Sequence, residues 1–219
     1  MITEYTGHVD GGGPPITRDA PGLRITKISV GPYDNDAYVL ECLETGEQLL
    51  IDAANEAPRL LPLVPRLTTV VTTHSHPDHF QALAEVVART GARLTVAHPL
   101  DADGLPVRPS RLVEHGEPIG VGRQSVEVVH LRGHTPGSIA LLYAPDGQAP
   151  HLFTGDCLFP GGPGNTKKDP ARFTQLMDDL EQRVFGVLPD ETWIYPGHGD
   201  DTTIGAERPH LAEWRARGW

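Results

Sequence analysis

A mixed α/β fold, with strands that end in loops rich in histidine, aspartate and glycine, is what this sequence predicts. Three observations support it. Apolar, β-branched runs of strand length recur at 23–30, 37–43, 48–52, 68–73, 93–97, 125–131, 139–143, 151–154 and 192–195. Two other stretches, 79–90 and one opened by Asp169 and Pro170, repeat apolar residues at helical spacing. Four of the strand-like runs lead into a His or Asp in a turn, three of these turns being rich in glycine.

The elements follow in order. Residues 1–22 hold Gly11-Gly12-Gly13-Pro14-Pro15 and little apolar periodicity, which predicts an extended or poorly ordered arm before a single domain over 23–219. Strands are expected at 23–30, 37–43 and 48–52, with Thr45-Gly46 turning between the last two. Residues 58–64 form a short helix. In 79–90, Phe80, Leu83, Ala84 and Val87 share a face and Gly91 stops the helix. A strand at 93–97 precedes the Pro- and Gly-rich stretch 98–122, read as loops with short strands. Strands at 125–131, 139–143 and 151–154 come next. The longest helix places Phe173, Leu176, Met177, Leu180 and Val184 on one stripe, which reads as core packing rather than a cofactor box. In the tail, Trp214 and Trp219 anchor the segment or touch a neighbouring subunit, so a homodimer is one expectation.

The run His74-Ser75-His76-Pro77-Asp78-His79 carries the chemistry: four ligand-type side chains in six residues, just after a strand. Imidazole and carboxylate together suit zinc, iron or manganese. Histidines at alternate positions share a face, while the following Asp and His turn to the other side, so one loop can serve two neighbouring ions. A His-rich surface turn with Asp78 as a helix cap is the plainer reading of this run alone. Further on come Gly133-His134-Thr135-Pro136-Gly137-Ser138, Thr154-Gly155-Asp156 and Gly197-His198-Gly199, each after a strand-like run. Glycine lets the backbone turn sharply beside them. Ser138 lacks the G-x-S-x-G setting of a serine nucleophile and reads as structural.

The order HxHxDH, GHTPGS, TGD, GHG resembles the metallo-β-lactamase fold superfamily and, within it, the glyoxalase II-like (hydroxyacylglutathione hydrolase-like) hydrolases, over about residues 25–207. The resemblance implies a four-layer αββα sandwich. It implies that His74, His76 and His134 hold one metal, that Asp78, His79 and His198 hold a second, and that Asp156 bridges them. Two divalent ions are implied, zinc first, with iron or manganese as alternatives. The reaction implied is hydrolysis of a small ester or thioester by a hydroxide bridging the ions, with Asp78 also orienting that hydroxide. Asp52-Ala53-Ala54 is expected near the site. Cys157, beside Asp156, reads as a packed residue rather than a ligand. In the loop 158–168, Asn165 is a candidate donor to a substrate oxygen and Lys167 a candidate partner for a carboxylate. The helical domain that contacts glutathione in true glyoxalase II is expected to be lacking, so that subsite is not carried over. Alternatives are a persulfide dioxygenase with one iron on His76, His134 and Asp156, a lactonase or β-lactamase, and a binding module without catalysis.

Composition narrows the partners. The chain has 219 residues, enough for one sizeable core, and a formal net charge of −11 without a basic run, which argues against nucleic acid. No apolar stretch approaches membrane-spanning length. Two cysteines, Cys42 and Cys157, and a start without the pattern of a signal peptide predict a cytoplasmic protein.

Overall fold

Two sheets pack face to face in the computed structural model, which describes residues 5–218. Residues 1–4, the start of the expected arm, and Trp219, the second expected anchor of the tail, lie outside the described residues. The first sheet runs in chain order: β1 (Ile16–Ala20), β2 (Leu23–Val30), β3 (Asn35–Cys42), β4 (Gln48–Ile51), β5 (Leu67–Val71), β6 (Leu94–Ala97) and β7 (Arg111–Leu112). Its first four strands are antiparallel, and β4 through β7 are parallel. The second sheet begins with β8 (Pro118–Val121), β9 (Gln124–His130), β10 (Ile139–Tyr143) and β11 (His151–Gly155). A separate hairpin follows, β12 (Leu158–Phe159) with β13 (Gly162–Pro163). The second sheet is then completed by β14 (Trp193–Pro196), parallel to β11, and β15 (Thr202–Thr203) at its edge.

The central strands are apolar on both faces because three apolar layers meet them. Side chains alternate across a strand. Tyr38, Leu40 and Cys42 of β3 and Ile139, Leu141 and Tyr143 of β10 point between the sheets. Their neighbours Ala37 and Val39 face a second layer that includes Leu60, Leu83 and Val86, from α1 (Ala57–Leu60) and α2 (Leu83–Thr90). After the short α3 (Pro99–Ala102) comes α4 (Pro170–Leu180), whose Phe173, Leu176, Met177 and Leu180 cover Val129, Ala140 and Leu152 on the far side. Ile204 of α5 (Ile204–Glu207) and Trp214 of α6 (Leu211–Arg217) complete that layer. The result is the αββα sandwich, with Phe153 stacked on Tyr195 at 4.5 Å in its centre. Val184 continues the α4 stripe into a π-turn, Glu181–Phe185.

Two boundaries differ from the sequence reading. The arm expected over 1–22 contains the edge strand β1, paired with β2 from Ile16↔Lys27 to Ala20↔Leu23, and Tyr5 packs on the Trp193 ring at 6.0 Å. The cut at residue 23 therefore falls inside a hairpin. β1 escapes notice because its exposed Thr17 and Asp19 leave only a weak apolar alternation; the ladder and the Arg24–Asp19 pair hold it. The helix expected from His79 starts at Leu83 instead. Pro77–His79 forms a 3-10 turn, and the Gln81 and Ala82 amides donate to the Ala54 and Ala53 carbonyls rather than into a helix. Gly91 does close α2, at φ 68.

Candidate metal centre

The ends of β3, β5, β9, β11 and β14 converge at one rim of the sandwich. The loop after β5 carries His74, His76, Asp78 and His79; His134 follows β9, Asp156 follows β11 and His198 follows β14. All seven side chains meet there. His74, His76, His134 and Asp156 offer ligand atoms within 4.8 Å of one another, as do Asp78, His79 and His198. Asp156 joins the groups: its Oδ2 lies 3.5 Å from His134 Nε2 and 3.6 Å from His198 Nε2, and its Oδ1 lies 3.3 Å from His79 Nε2.

Hydrogen bonds on the far side of four of the five rings decide which nitrogen faces inward. His134 Nδ1 donates to the Asn165 carbonyl (2.8 Å), His198 Nδ1 to the Tyr33 carbonyl (2.8 Å) and His79 Nδ1 to Asp52 Oδ2 (2.8 Å). Thr73 Oγ1 donates to Asp52 Oδ2 (2.7 Å) and so accepts from His74 Nδ1 (3.0 Å). Burial favours the neutral form of His74 and His134, whose remaining Nε2 then carries a lone pair. These inward nitrogens crowd together: His134 Nε2 lies 3.3 Å from His74 Nε2 and 2.9 Å from His76 Nδ1. His79 Nε2 and Asp156 Oδ1 are buried without a hydrogen-bond partner. A cation shared by these inward-facing nitrogens and carboxylate oxygens would match them together. The residues present therefore fit a pair of divalent ions, and Asp52, Thr73 and the two carbonyls orient the ligands.

Electrostatics agree. Burial holds His74, His76 and His134 below the ordinary imidazole value, His134 at about 4, so these rings are neutral at physiological pH. Burial acts the same way on His79, yet Asp156 and Asp52 pull it up to about 10. Burial would raise the Asp156 carboxyl, but its contacts with His198 and His79 hold it far below the usual carboxylate range.

The glycines in the motifs are there for space. A Cβ on Gly197 would collide with Asp156 Oδ1, and one on Gly164 with the Asp156 carbonyl. Asp52 takes φ 55, rare outside glycine, and is held there by the Thr73 amide (2.7 Å) and its bonds to His79 and Thr73. Cys157 is buried among Leu131, Leu158 and Leu176, with its thiol raised by burial, and is placed to pack rather than to ligate. The Ser138 hydroxyl is engaged by Thr135.

Three site residues escaped the sequence reading. Asn35 Nδ2 donates to Asp78 Oδ2 (3.0 Å) and lies 3.3 Å from His198 Nε2. Asp101 accepts from the Ser75 amide (2.8 Å), the Thr135 hydroxyl (2.5 Å) and the Gly137 amide (2.8 Å), tying two ligand loops together. Arg172 donates to the carbonyls of Gly133 and His134. None sits at ligand spacing in the chain; only Asn35, opening an apolar strand, is an oddity visible in the sequence. Asn165 and Lys167 lie on the exposed loop over the site. Asn165 spends its side-chain oxygen on the Lys167 amide (2.7 Å), and it is its backbone carbonyl that steadies His134. The Lys167 ammonium is near enough to contribute to lowering His76. A cavity of about 520 Å³ opens beside the second group, lined by Tyr33, Pro77, Asp78, Gln81 and His198.

Fold and site together define a member of the metallo-β-lactamase superfamily: the family model matches residues 30–198, and the chain belongs to it. Among its curated relatives is a hydroxyacylglutathione hydrolase from Fuscovulum blasticum, 37% identical over 169 residues, which cover 75% of this chain and 62% of that protein. The chain thus spans less than two thirds of that relative's length. Among solved structures it is similar to the B3 metallo-β-lactamase BLEG-1 (TM-score 0.75, 25% identity, 87% of this chain and 99% of that one). It is also similar to TTHA1623, solved in a di-iron-bound form (TM-score 0.67, 32% identity, 83% of this chain and 96% of that one).

Proposed function

We propose that this chain is a dinuclear metallohydrolase that cleaves a small ester or thioester. The observation that carries the reading is the pair of ligand groups joined through Asp156, their ring nitrogens and carboxylate oxygens turned on one another at the rim. His74, His76 and His134 would hold one ion, Asp78, His79 and His198 the other, and Asp156 both. When bound, the ions supply a nucleophile from water near neutral pH and polarise the substrate carbonyl. The chain's own residues do the rest. Asn35 fixes the Asp78 carboxylate, which would orient the attacking water. Asp52 and Thr73 keep the His79 and His74 rings aimed. The cavity walled by Tyr33 and Gln81 would receive the substrate. Lys167, close enough to His76 to lower it, would meet a carboxylate reaching towards the first group.

Zinc is the proposed metal, since imidazole and carboxylate donors at four- and three-residue sites suit it. The di-iron form of TTHA1623 supports the count of two and keeps iron in view. A single-iron oxygenase would use only His76, His134 and Asp156 and leave the grouped Asp78, His79 and His198 without work. Both cysteines are free and buried, which supports a cytoplasmic setting; among the described residues no helix is long and apolar enough to cross a membrane.

The test is a panel of acyl thioesters, simple esters, lactones and a β-lactam, assayed with metal-loaded and chelated protein. Chelator-sensitive turnover of a thioester or ester is expected. Activity confined to the β-lactam, or none above background, would remove this reading.

A further inference from the structure

Behind the second ligand group stands a lysine with no access to solvent. Lys27 is 0% exposed and lies on the same face of β2 as Leu23 and Ile25, between the two sheets. An ammonium in such a place is costly unless every donor is matched. Here Nζ donates to the Gly7 carbonyl (2.8 Å), the Gly199 carbonyl (2.6 Å) and Asp201 Oδ1 (2.7 Å), and Asp36 Oδ2 lies 3.1 Å away. The other oxygen of Asp201 accepts from Tyr5 Oη (2.9 Å) and Trp193 Nε1 (2.8 Å).

The partners of Lys27 are not scattered. Gly199 follows His198 directly, Asp201 comes two residues later, and Asp36 directly follows Asn35. The Asp36 amide donates to the Gly197 carbonyl (2.8 Å), and Asn35 and His198 form an isolated antiparallel bridge. Asn35 in turn holds Asp78. One ammonium therefore pins the two backbone segments that deliver His198 and, through Asn35, Asp78. The loops of His74, His76 and His134 are tied by other groups, Asp101 and Arg172.

We infer that Lys27, with Asp36 and Asp201, is a positioning device for the second ion subsite: it sets His198 and the Asn35–Asp78 pair, and through them the affinity for the second ion, while the first subsite is set independently. A well-packed apolar side chain would fill the same volume, so we read the buried charges as fixing one geometry here. The inference rests on the two-ion reading above.

The test is titration of metal-free full-length protein with Co²⁺, read by its visible absorption and by competition with a chromophoric chelator. Wild type, Lys27→Met and Asp201→Asn are compared, each checked for fold by near-UV circular dichroism. Wild type takes two ions. The variants take the first with unchanged affinity and the second at least tenfold more weakly, with a changed absorption band for that ion. If Lys27→Met does not fold, Asp201→Asn, which keeps shape and volume, decides. Two ions at wild-type affinity in a folded variant, or equal weakening of both, overturns the inference alone. A wild type that takes up one ion overturns the two-ion reading and the inference with it.

Discussion

Asp156 is the residue on which both ligand groups depend, since its two oxygens face His134 and His198 on one side and His79 on the other. Replacing it with Ala, or replacing His76 with Ala, should lower kcat/KM by on the order of 10³-fold or more, the several kcal/mol of stabilisation a bound ion gives a developing oxyanion. The fold should survive, because neither side chain belongs to an apolar layer. Steady-state kinetics and circular dichroism on the two variants check this; retained turnover would remove the assignment. Such residues are legible in the chain because a ligand beside glycine after a strand is a local signal. Asp101 is not legible. It sits in a Pro- and Gly-rich stretch, and its role comes from three donors on two loops, at Ser75 and at Thr135 and Gly137, that only the folded sheets bring to it.

α4 is capped by Asp169, whose carboxylate accepts from the Ala171 amide (2.8 Å) and the Arg172 amide (3.2 Å), with Pro170 at the first turn. Asp169→Ala should cost about 1 kcal/mol, seen as a fall of roughly 2–4 °C in Tm for a chain of this size. Thermal unfolding tests it, and an unchanged Tm would mean the cap is replaced by water at no cost. Most elements were readable from periodicity: β2 and β10 match their apolar runs, and the α4 stripe reaches Val184. The exceptions have physical causes. β1 is an edge strand held by its ladder rather than by apolar alternation, and the first turn expected of α2 is diverted to the Ala53 and Ala54 carbonyls, beside the Asp52 that orients His79.

At the scale of the molecule, three apolar layers hold the sheets rigid and leave the rim to chemistry. Polar groups inside those layers make stability depend on pH. His151, 5% exposed and bonded through Nδ1 to Tyr195 Oη (2.8 Å), is lowered to about 4 by burial and by Arg18. An unfolded chain binds a proton there near pH 6.5 and the folded one does not. The contribution is therefore full above pH 6.5 and is lost as pH falls towards about 4, amounting to at most about 3 kcal/mol. Urea unfolding at pH 7 and pH 4.5 should show a smaller acid loss in His151→Gln than in wild type; equal losses would assign the acid sensitivity elsewhere.

Whether one sheet rim holds two ions through seven side chains is decided by the metal content of protein purified without added metal or chelator. Elemental mass spectrometry should find about two divalent ions per chain, mainly zinc, falling to about one or fewer in Asp156→Ala. About one iron per wild-type chain, with little zinc, would contradict the dinuclear hydrolase and put iron-dependent oxidation in its place.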